Sequence, residues 1–467
     1  MGSLLASFLL VPLLGCIFVL FSQKHKNNGY NVALFTLSAN ILLILRMLSL
    51  CETMDAEFLY SYQWLTHPNV RFILGVDVFS LVLLLGVYIS VIIGLTGLSS
   101  EQRRNKSLQI LTLYFVWNME ALLLAKDIIF FYIFFAGMLL PLFWLICLHG
   151  SFKKISSSAL FFLFNFAGSL LLLISMLVVY RYNRGSVLLS AVGILDIPKH
   201  AQLIVIGGIC GAFISRIPIW PFHNWISFIY SDIKNPLIYI VMSMMPLTGL
   251  YGFIRFGQIM LSDSIYTFVP IIETFCVLTM LFIALIGLSH RNFLQKLFSY
   301  STIYYLLFLM SKLLLTDKYQ MNMAYSLFIF LIVNASLAVL DLFAENAREE
   351  SNGNYRGILA YMPRLANLFT FFVLIAVGLP ISSMFWNNFI LISALFRESF
   401  MTGIWVMTST SLIGMALIYE LYIMCDTRLS LTTNDTVCDI SDANLAFFAG
   451  VTIILFLSFF NPLWFVF

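Results

Sequence analysis

Apolar residues run along this chain in blocks of about 20, separated by short polar stretches, and nothing alternates with the short period of an outer-membrane barrel. Blocks of that length match the hydrocarbon core of a bilayer, and they predict about 14 membrane-spanning helices. The expected spans are residues 2–22, 32–51, 73–98, 108–126, 128–149, 158–180, 201–230, 236–255, 265–289, 296–315, 320–344, 365–395, 402–425 and 444–466. Two of the blocks are interrupted. The seventh is broken at Arg216-Ile217-Pro218-Ile219-Trp220-Pro221-Phe222-His223-Asn224-Trp225, and the twelfth at Gly378-Leu379-Pro380-Ile381-Ser382-Ser383. Proline removes a backbone donor and stops the preceding helix, exposing polar backbone that lipid cannot satisfy, so each break must face protein or water. Broken helices five spans apart are the pattern of two inverted five-helix repeats. The expected fold is an all-α polytopic membrane protein with broken helices 7 and 12, forming one transmembrane domain over residues 1–467. Helices 1–3 occupy residues 1–107, the first repeat (helices 4–8) 108–255, the second (helices 9–13) 265–425, and the last helix 444–466.

Composition agrees, since 61% hydrophobic and 10% charged residues exclude a water-soluble globule. No basic tract or soluble domain is present to bind nucleic acid or nucleotide. Cys16, Cys51, Cys147, Cys210, Cys276, Cys425 and Cys438 are dispersed, without metal-ligand spacing. Neither a metal nor an iron–sulfur or flavin cofactor is expected in this chain. The run Leu4 to Phe21 lacks the positive leader and cleavage site of a signal peptide, and reads as the first span. Counting Lys and Arg in alternate connections gives about 14 on the side of Lys24, Arg103, Lys153 and Arg348 against about 8 on the other. The first side is expected to be cytoplasmic or matrix, with both termini on the outer side of a bacterial or mitochondrial inner membrane.

A charge at the bilayer centre costs about 2.5–3.5 kcal/mol by insertion scales, so each charge inside a span needs a reason. The positions are Arg46, Asp77, Glu120, Lys126, Asp127, Arg216, Lys296, Lys312, Asp341 and Glu420. Arg46, Lys126, Asp127, Lys296 and Lys312 lie where snorkelling to the interface would explain them, and Asp77 can cap or pair at the start of its span. Glu120 and Arg216 lie more than a turn inside. The candidate ion path comprises Arg216, Glu120, Asp127, Lys296, Asp77, His223, Asp341 and Glu420, none of them in a catalytic role.

Five segments occur in a recognisable order: Leu74-Gly75-Val76-Asp77-Val78-Phe79-Ser80-Leu81, Asp127-Ile128-Ile129-Phe130-Phe131-Tyr132-Ile133-Phe134-Phe135, Arg216 through Trp225, Tyr251-Gly252-Phe253-Ile254-Arg255-Phe256 and Gln295-Lys296-Leu297-Phe298-Ser299-Tyr300-Ser301. From about residue 74 to 390 the chain resembles the antiporter-like membrane subunits of respiratory complex I, in the group of the bacterial M subunit and mitochondrial NADH dehydrogenase subunit 4. The resemblance implies 14 helices in two inverted repeats. It also implies a mid-membrane path of buried ionisable residues that carries protons, driven by quinone chemistry in partner subunits of the membrane arm.

Departures from the family pattern are specific. Its fifth-helix glutamate falls on Ala136, its seventh-helix lysine on Arg216 and its eighth-helix lysine on Leu247; two histidines fall on Tyr305 and Asn334, and the twelfth-helix glutamate on Asn388. Alanine and leucine hold no proton, and arginine keeps its charge at any biological pH. With its usual carboxylate gone, Arg216 is expected to pair with Glu120. The reading is a membrane-arm subunit of a proton-translocating NADH:quinone oxidoreductase, and the lost titratable sites predict impaired conduction through this chain. The alternatives are a subunit of a multi-subunit Mrp-type cation/proton antiporter, and a non-conducting scaffold paralogue. Partners are then other membrane-arm or antiporter subunits, the lipid bilayer, and protons or monovalent cations.

Overall fold

The structure is a computed structural model that describes residues 2–22, 28–51, 58–65, 70–150, 153–182, 198–220, 222–223, 225, 229, 233, 235–260, 269–290, 292–314, 320–350, 362–380, 382–426 and 439–460. Helices α1 (Gly2–Phe21) and α2 (Asn28–Leu50) lead into an antiparallel hairpin, β1 (Phe58–Leu65) and β2 (Val70–Val76), in which Phe58 pairs with Val76 and Tyr62 with Phe72. Then follow α3 (Val78–Thr96), α4 (Lys106–Leu124), α5 (Ile128–Gly137), α6 (Leu139–His149), α7 (Lys154–Tyr182) and α8 (Lys199–Arg216). After the first break come α9 (Pro236–Ser243), α10 (Met245–Met260), α11 (Val269–Ser289), α12 (Phe293–Leu314) and α13 (Gln320–Glu350). The chain closes with α14 (Pro363–Val377), α15 (Ser383–Glu398), α16 (Phe400–Cys425) and α17 (Asp442–Phe460).

The hairpin amends the all-α expectation. Residues 73–76, placed by apolarity in the third span, lie in β2, because Val70, Phe72, Ile73 and Val76 are β-formers and Asp77 stops the strand and caps the helix. An apolar run cannot by itself distinguish a strand from the first turns of a helix. The hairpin is tied to the bundle where the Lys126 N–H donates to the Ile73 carbonyl at 3.0 Å.

Among the described residues, ten helical segments are long and apolar enough to cross a membrane, while Ala201–Arg216, Pro363–Val377 and Asp442–Phe456 are apolar but shorter. The first two of these are cut short by the breaks that the sequence marks. Parts of the expected seventh and last spans, much of the polar connection 345–357, and Cys438 lie outside the described residues.

The centre of the bundle is α3, α9–α10 and α13. Their apolar windows are 89%, 100% and 89% buried, against 39% for α11 and α16. α3 packs closely on α13 at Gly86, where a Cβ would lie 3.3 Å from the Phe328 Cα, tighter than ordinary van der Waals contact. Peripheral helices show the opposite pattern, with Ile271, Phe275, Leu278, Phe282 and Leu285 of α11 forming a stripe 37–61% exposed. Such a stripe at helical spacing suits lipid or a neighbouring apolar helix.

At the second break, α14 ends on Gly378 with φ of 85°, a left-handed conformation that costs an L-residue about 1–2 kcal/mol. The Gly378 and Leu379 N–H groups return to the Ile375 and Leu374 carbonyls at 2.9 and 3.2 Å, satisfying the end of the helix before Ser382 begins α15.

Candidate functional site

Arg216 is the last residue of α8, and its side chain is fully buried. Beyond it the chain turns at once: the Ile219 N–H reaches the Ile217 carbonyl at 2.6 Å, the Phe222 N–H reaches Ile219 at 2.7 Å, and the Trp220 N–H donates to Thr279 Oγ1 at 3.0 Å. The guanidinium is therefore delivered into the protein while Trp220 stays half exposed, stacked on Phe275 at 6.1 Å. Arg216 Nη2 donates to the Phe135 carbonyl at 2.5 Å, and its central carbon sits 4.0 Å above the Phe135 ring. Phe135 lies in the last turn of α5, whose carbonyl end carries partial negative charge. A carbonyl and an aromatic face thus replace the carboxylate that the family pattern would place at Ala136, and Arg216 Nε and Nη1 find no partner among the described residues.

The expected Glu120–Arg216 pair does not form. Fully buried Glu120 turns towards α3, where the Tyr88 hydroxyl donates to Oε2 at 2.7 Å; Asn40 Nδ2 donates to that same hydroxyl, also at 2.7 Å. Glu120 Oε1 has no partner among the described residues, and Arg216 reaches α5 instead. A donor on the packed neighbour decided the side-chain direction, which helical spacing alone could not show.

Asp77, Lys126, Asp127 and Arg255 gather where α3, α5 and α10 meet. The Asp77 carboxylate takes a charge-assisted hydrogen bond from Arg255 Nη2, stands 3.8 Å from Lys126 Nζ and accepts from the Ser80 hydroxyl at 2.9 Å. Arg255 Nε donates to the Tyr251 hydroxyl at 2.8 Å, and that hydroxyl donates to the Leu123 carbonyl at 2.5 Å. Asp127 caps α5, accepting from the Ile129 and Phe130 N–H groups at 2.7 and 3.3 Å. Tyr251 and Arg255 were not among the expected path residues, although their i,i+4 spacing in the Tyr251–Phe256 motif was the available signal. Asp77 lies outside the apolar span Val78–Thr96. Burial alone would raise its carboxyl, but Arg255 and Lys126 hold it below the usual carboxylate value. A depressed folded-state pKa contributes stability that is full above about pH 4 and is lost as pH falls through the folded value. Asp77→Asn should cost about 2–3 kcal/mol at neutral pH and should remove that part of the acid-induced loss seen in the parental chain, as read by thermal unfolding in detergent between pH 7 and 3.

The second half holds a different set of groups. Lys296, near the start of α12, is buried rather than snorkelling, and it forms an ion pair with buried Glu420 of α16, with the Tyr419 ring 5.6 Å from the ammonium. Further along α12, the Tyr304 hydroxyl donates to the Ala376 carbonyl at 3.1 Å and accepts from Asn388 Nδ2 at 3.0 Å. The Tyr239 hydroxyl donates to Asn334 Oδ1 at 3.0 Å, and Asn334 Nδ2 donates to Ser243 at 3.2 Å. Asp341 is buried on α13, and half-buried His223 meets the Phe282 ring at 5.3 Å with Nδ1 unpartnered among the described residues. The Asp77 group, the Asn40–Tyr88–Glu120 chain, Arg216 and the Lys296–Glu420 pair each have the partners given above, and tyrosine and asparagine side chains form the polar contacts described at Asn334 and Asn388. Among the described residues no group of three His, Cys, Asp or Glu side chains could hold a metal ion.

Comparison with known proteins places these features together. Residues 125–414 match the family described as NADH:quinone oxidoreductase/Mrp antiporter, transmembrane. The chain is 25% identical over 409 residues to NADH-ubiquinone oxidoreductase chain 4 of Arabidopsis thaliana, covering 85% of this chain and 81% of that one. Its fold is similar to a chain in respiratory complex I from Thermus thermophilus, with a TM-score of 0.87 and 20% identity over 99% of this chain and 96% of that chain. A chain of the Mrp complex from Dietzia has a TM-score of 0.79 and 15% identity over 97% of this chain, but only 49% of that chain is covered.

Proposed function

Because the chain belongs to the NADH:quinone oxidoreductase/Mrp antiporter transmembrane family, we propose that it is a membrane-arm subunit of a proton-translocating NADH:quinone oxidoreductase, with 14 spans in two inverted five-helix repeats and both termini on the outer side of an inner membrane. The observation that carries this reading is the near full-length likeness to chain 4 of NADH-ubiquinone oxidoreductase. The redox chemistry belongs to partner subunits, and this chain contributes a path for protons.

The two halves contribute unequally. A proton relay needs groups that release and retake a proton near neutral pH. Arg216, held on a carbonyl and a ring, is a fixed cation in the first half, and Ala136 and Leu247 leave it no relay partner. Glu120, Asp127 and Asp77 remain as carboxylates there, while Lys296, Glu420, Asp341 and His223 are the titratable groups we assign to the rest of the path. The unpartnered donors of Arg216 also favour a second reading, in which the chain keeps the scaffold and moves few or no protons.

Affinity purification of the tagged chain from membranes in mild detergent tests the assembly. Flavin- and iron–sulfur-bearing subunits that oxidise NADH should co-purify with it. Isolation with antiporter-like subunits alone, together with rescue of a sodium-sensitive strain, would instead assign the chain to an Mrp-type antiporter.

A further inference from the structure

We infer that Arg216 binds one small monovalent anion of the chloride class, held beside the end of α5 by guanidinium N–H groups that the protein leaves unpartnered. The inference goes beyond the reading above and does not depend on it, because a buried fixed cation needs a counter-charge whether or not the chain moves protons.

The argument starts from charge. Arg216 is fully buried, and a guanidinium stays protonated at biological pH, so a whole positive charge is taken out of water. A buried charge without compensation is strongly destabilising. The carboxylates of the same half that could supply it are engaged elsewhere. Asp77 is bonded to Arg255 and stands beside Lys126, while Glu120 takes the Tyr88 hydroxyl. Asp127 caps the far end of α5, about 14 Å of helix away from Ala136. Among the described residues, Arg216 is in no ion pair.

Geometry then limits where the counter-charge can sit. The Phe135 carbonyl takes Nη2, and the Phe135 ring covers one face of the guanidinium. Nε and Nη1 are buried with no partner among the described residues, and their N–H bonds lie in the plane of the group, off the ring face. The stem of the side chain is held tightly against α10. A Cβ on Gly249 would lie 2.9 Å from the Arg216 Cβ and 2.8 Å from the Phe213 carbonyl. The bond from the Trp220 N–H to Thr279 fixes the chain just beyond it. On the α5 side, the residue after Phe135 is Ala136, which offers only a methyl group. The guanidinium is thus set in place with donors directed away from its one protein acceptor.

A single charge in an enclosed site selects the ligand. One monovalent anion restores neutrality, whereas a dianion would leave a net negative charge out of water. A monoatomic ion also brings no further polar atoms that would need partners of their own.

Equilibrium binding of isotopically labelled chloride to the purified full-length chain in detergent tests the inference. The parental chain should bind about one chloride saturably, displaced by bromide and not by gluconate, which is too large for an enclosed site. Ala136→Glu supplies a covalent counter-charge next to the Phe135 carbonyl, and Arg216→Leu removes the cation; each should weaken chloride binding by about tenfold or more. Absence of saturable binding in the parental chain, or binding at the parental affinity in folded Ala136→Glu, overturns the proposal. A second measurement needs no variant. At equal ionic strength the parental chain should melt at a higher temperature in chloride than in gluconate, because a ligand that binds the native state stabilises it. Equal melting temperatures in the two salts also overturn the site.

Discussion

Lys296→Met is expected to lower the stability of the protein by about 3–5 kcal/mol, since it leaves the Glu420 carboxylate buried at 4% exposure without its cation. Replacing both partners, as Lys296→Met with Glu420→Met, should bring stability back to within about 1 kcal/mol of the parental chain, because apolar side chains of similar volume avoid desolvating two charges. Thermal unfolding of the purified protein in detergent measures both effects. A double variant as unstable as the single one would show that the pair stabilises the fold beyond desolvation. Proton uptake in the double variant should nevertheless be lost, since stability and transport make different demands on these two residues.

Ala136→Glu should stabilise the chain by about 1–3 kcal/mol, an unusual outcome for placing a carboxylate on a membrane helix. The reason is local. Arg216 already touches the adjacent Phe135 carbonyl, and two of its nitrogens are unpartnered among the described residues. A glutamate one residue further along α5 gives those donors a charged acceptor. In an Arg216→Leu background the same glutamate should be destabilising, and the coupling in the double-mutant cycle should be about 3 kcal/mol. A coupling below about 0.5 kcal/mol would mean that the guanidinium is adequately compensated by the Phe135 ring and carbonyl.

The parts of this structure that were legible in the sequence are those set by local chemistry. Pro218 and Pro380 marked the breaks because a missing N–H acts on its own turn, and Asp77 before an apolar run read as a cap or ion-pair partner because capping reaches only a few residues. The hairpin was hidden, since Val70–Val76 is as apolar as a helix start and strand pairing depends on residues elsewhere. Glu120 was matched to the wrong partner for a related reason. Its burial could be read from its place in the block, but its direction depended on Tyr88, a hydroxyl that composition does not separate from other tyrosines. Lys296 read as a snorkelling end residue because its partner lies 124 positions away. The substitutions at Ala136, Leu247 and Asn388 were visible only against the family pattern, whereas what occupies their place (a carbonyl for Arg216, a tyrosine for Asn388) required the fold.

Protons taken up per NADH oxidised, measured in sealed vesicles containing the assembled complex, bear most directly on whether this subunit translocates with a disabled first half. The parental chain should show a lower ratio than a variant carrying Ala136→Glu, Arg216→Lys and Leu247→Lys, which restores the relay groups in the first half. An equal ratio in the two complexes, at equal assembly and equal NADH oxidation, would contradict it.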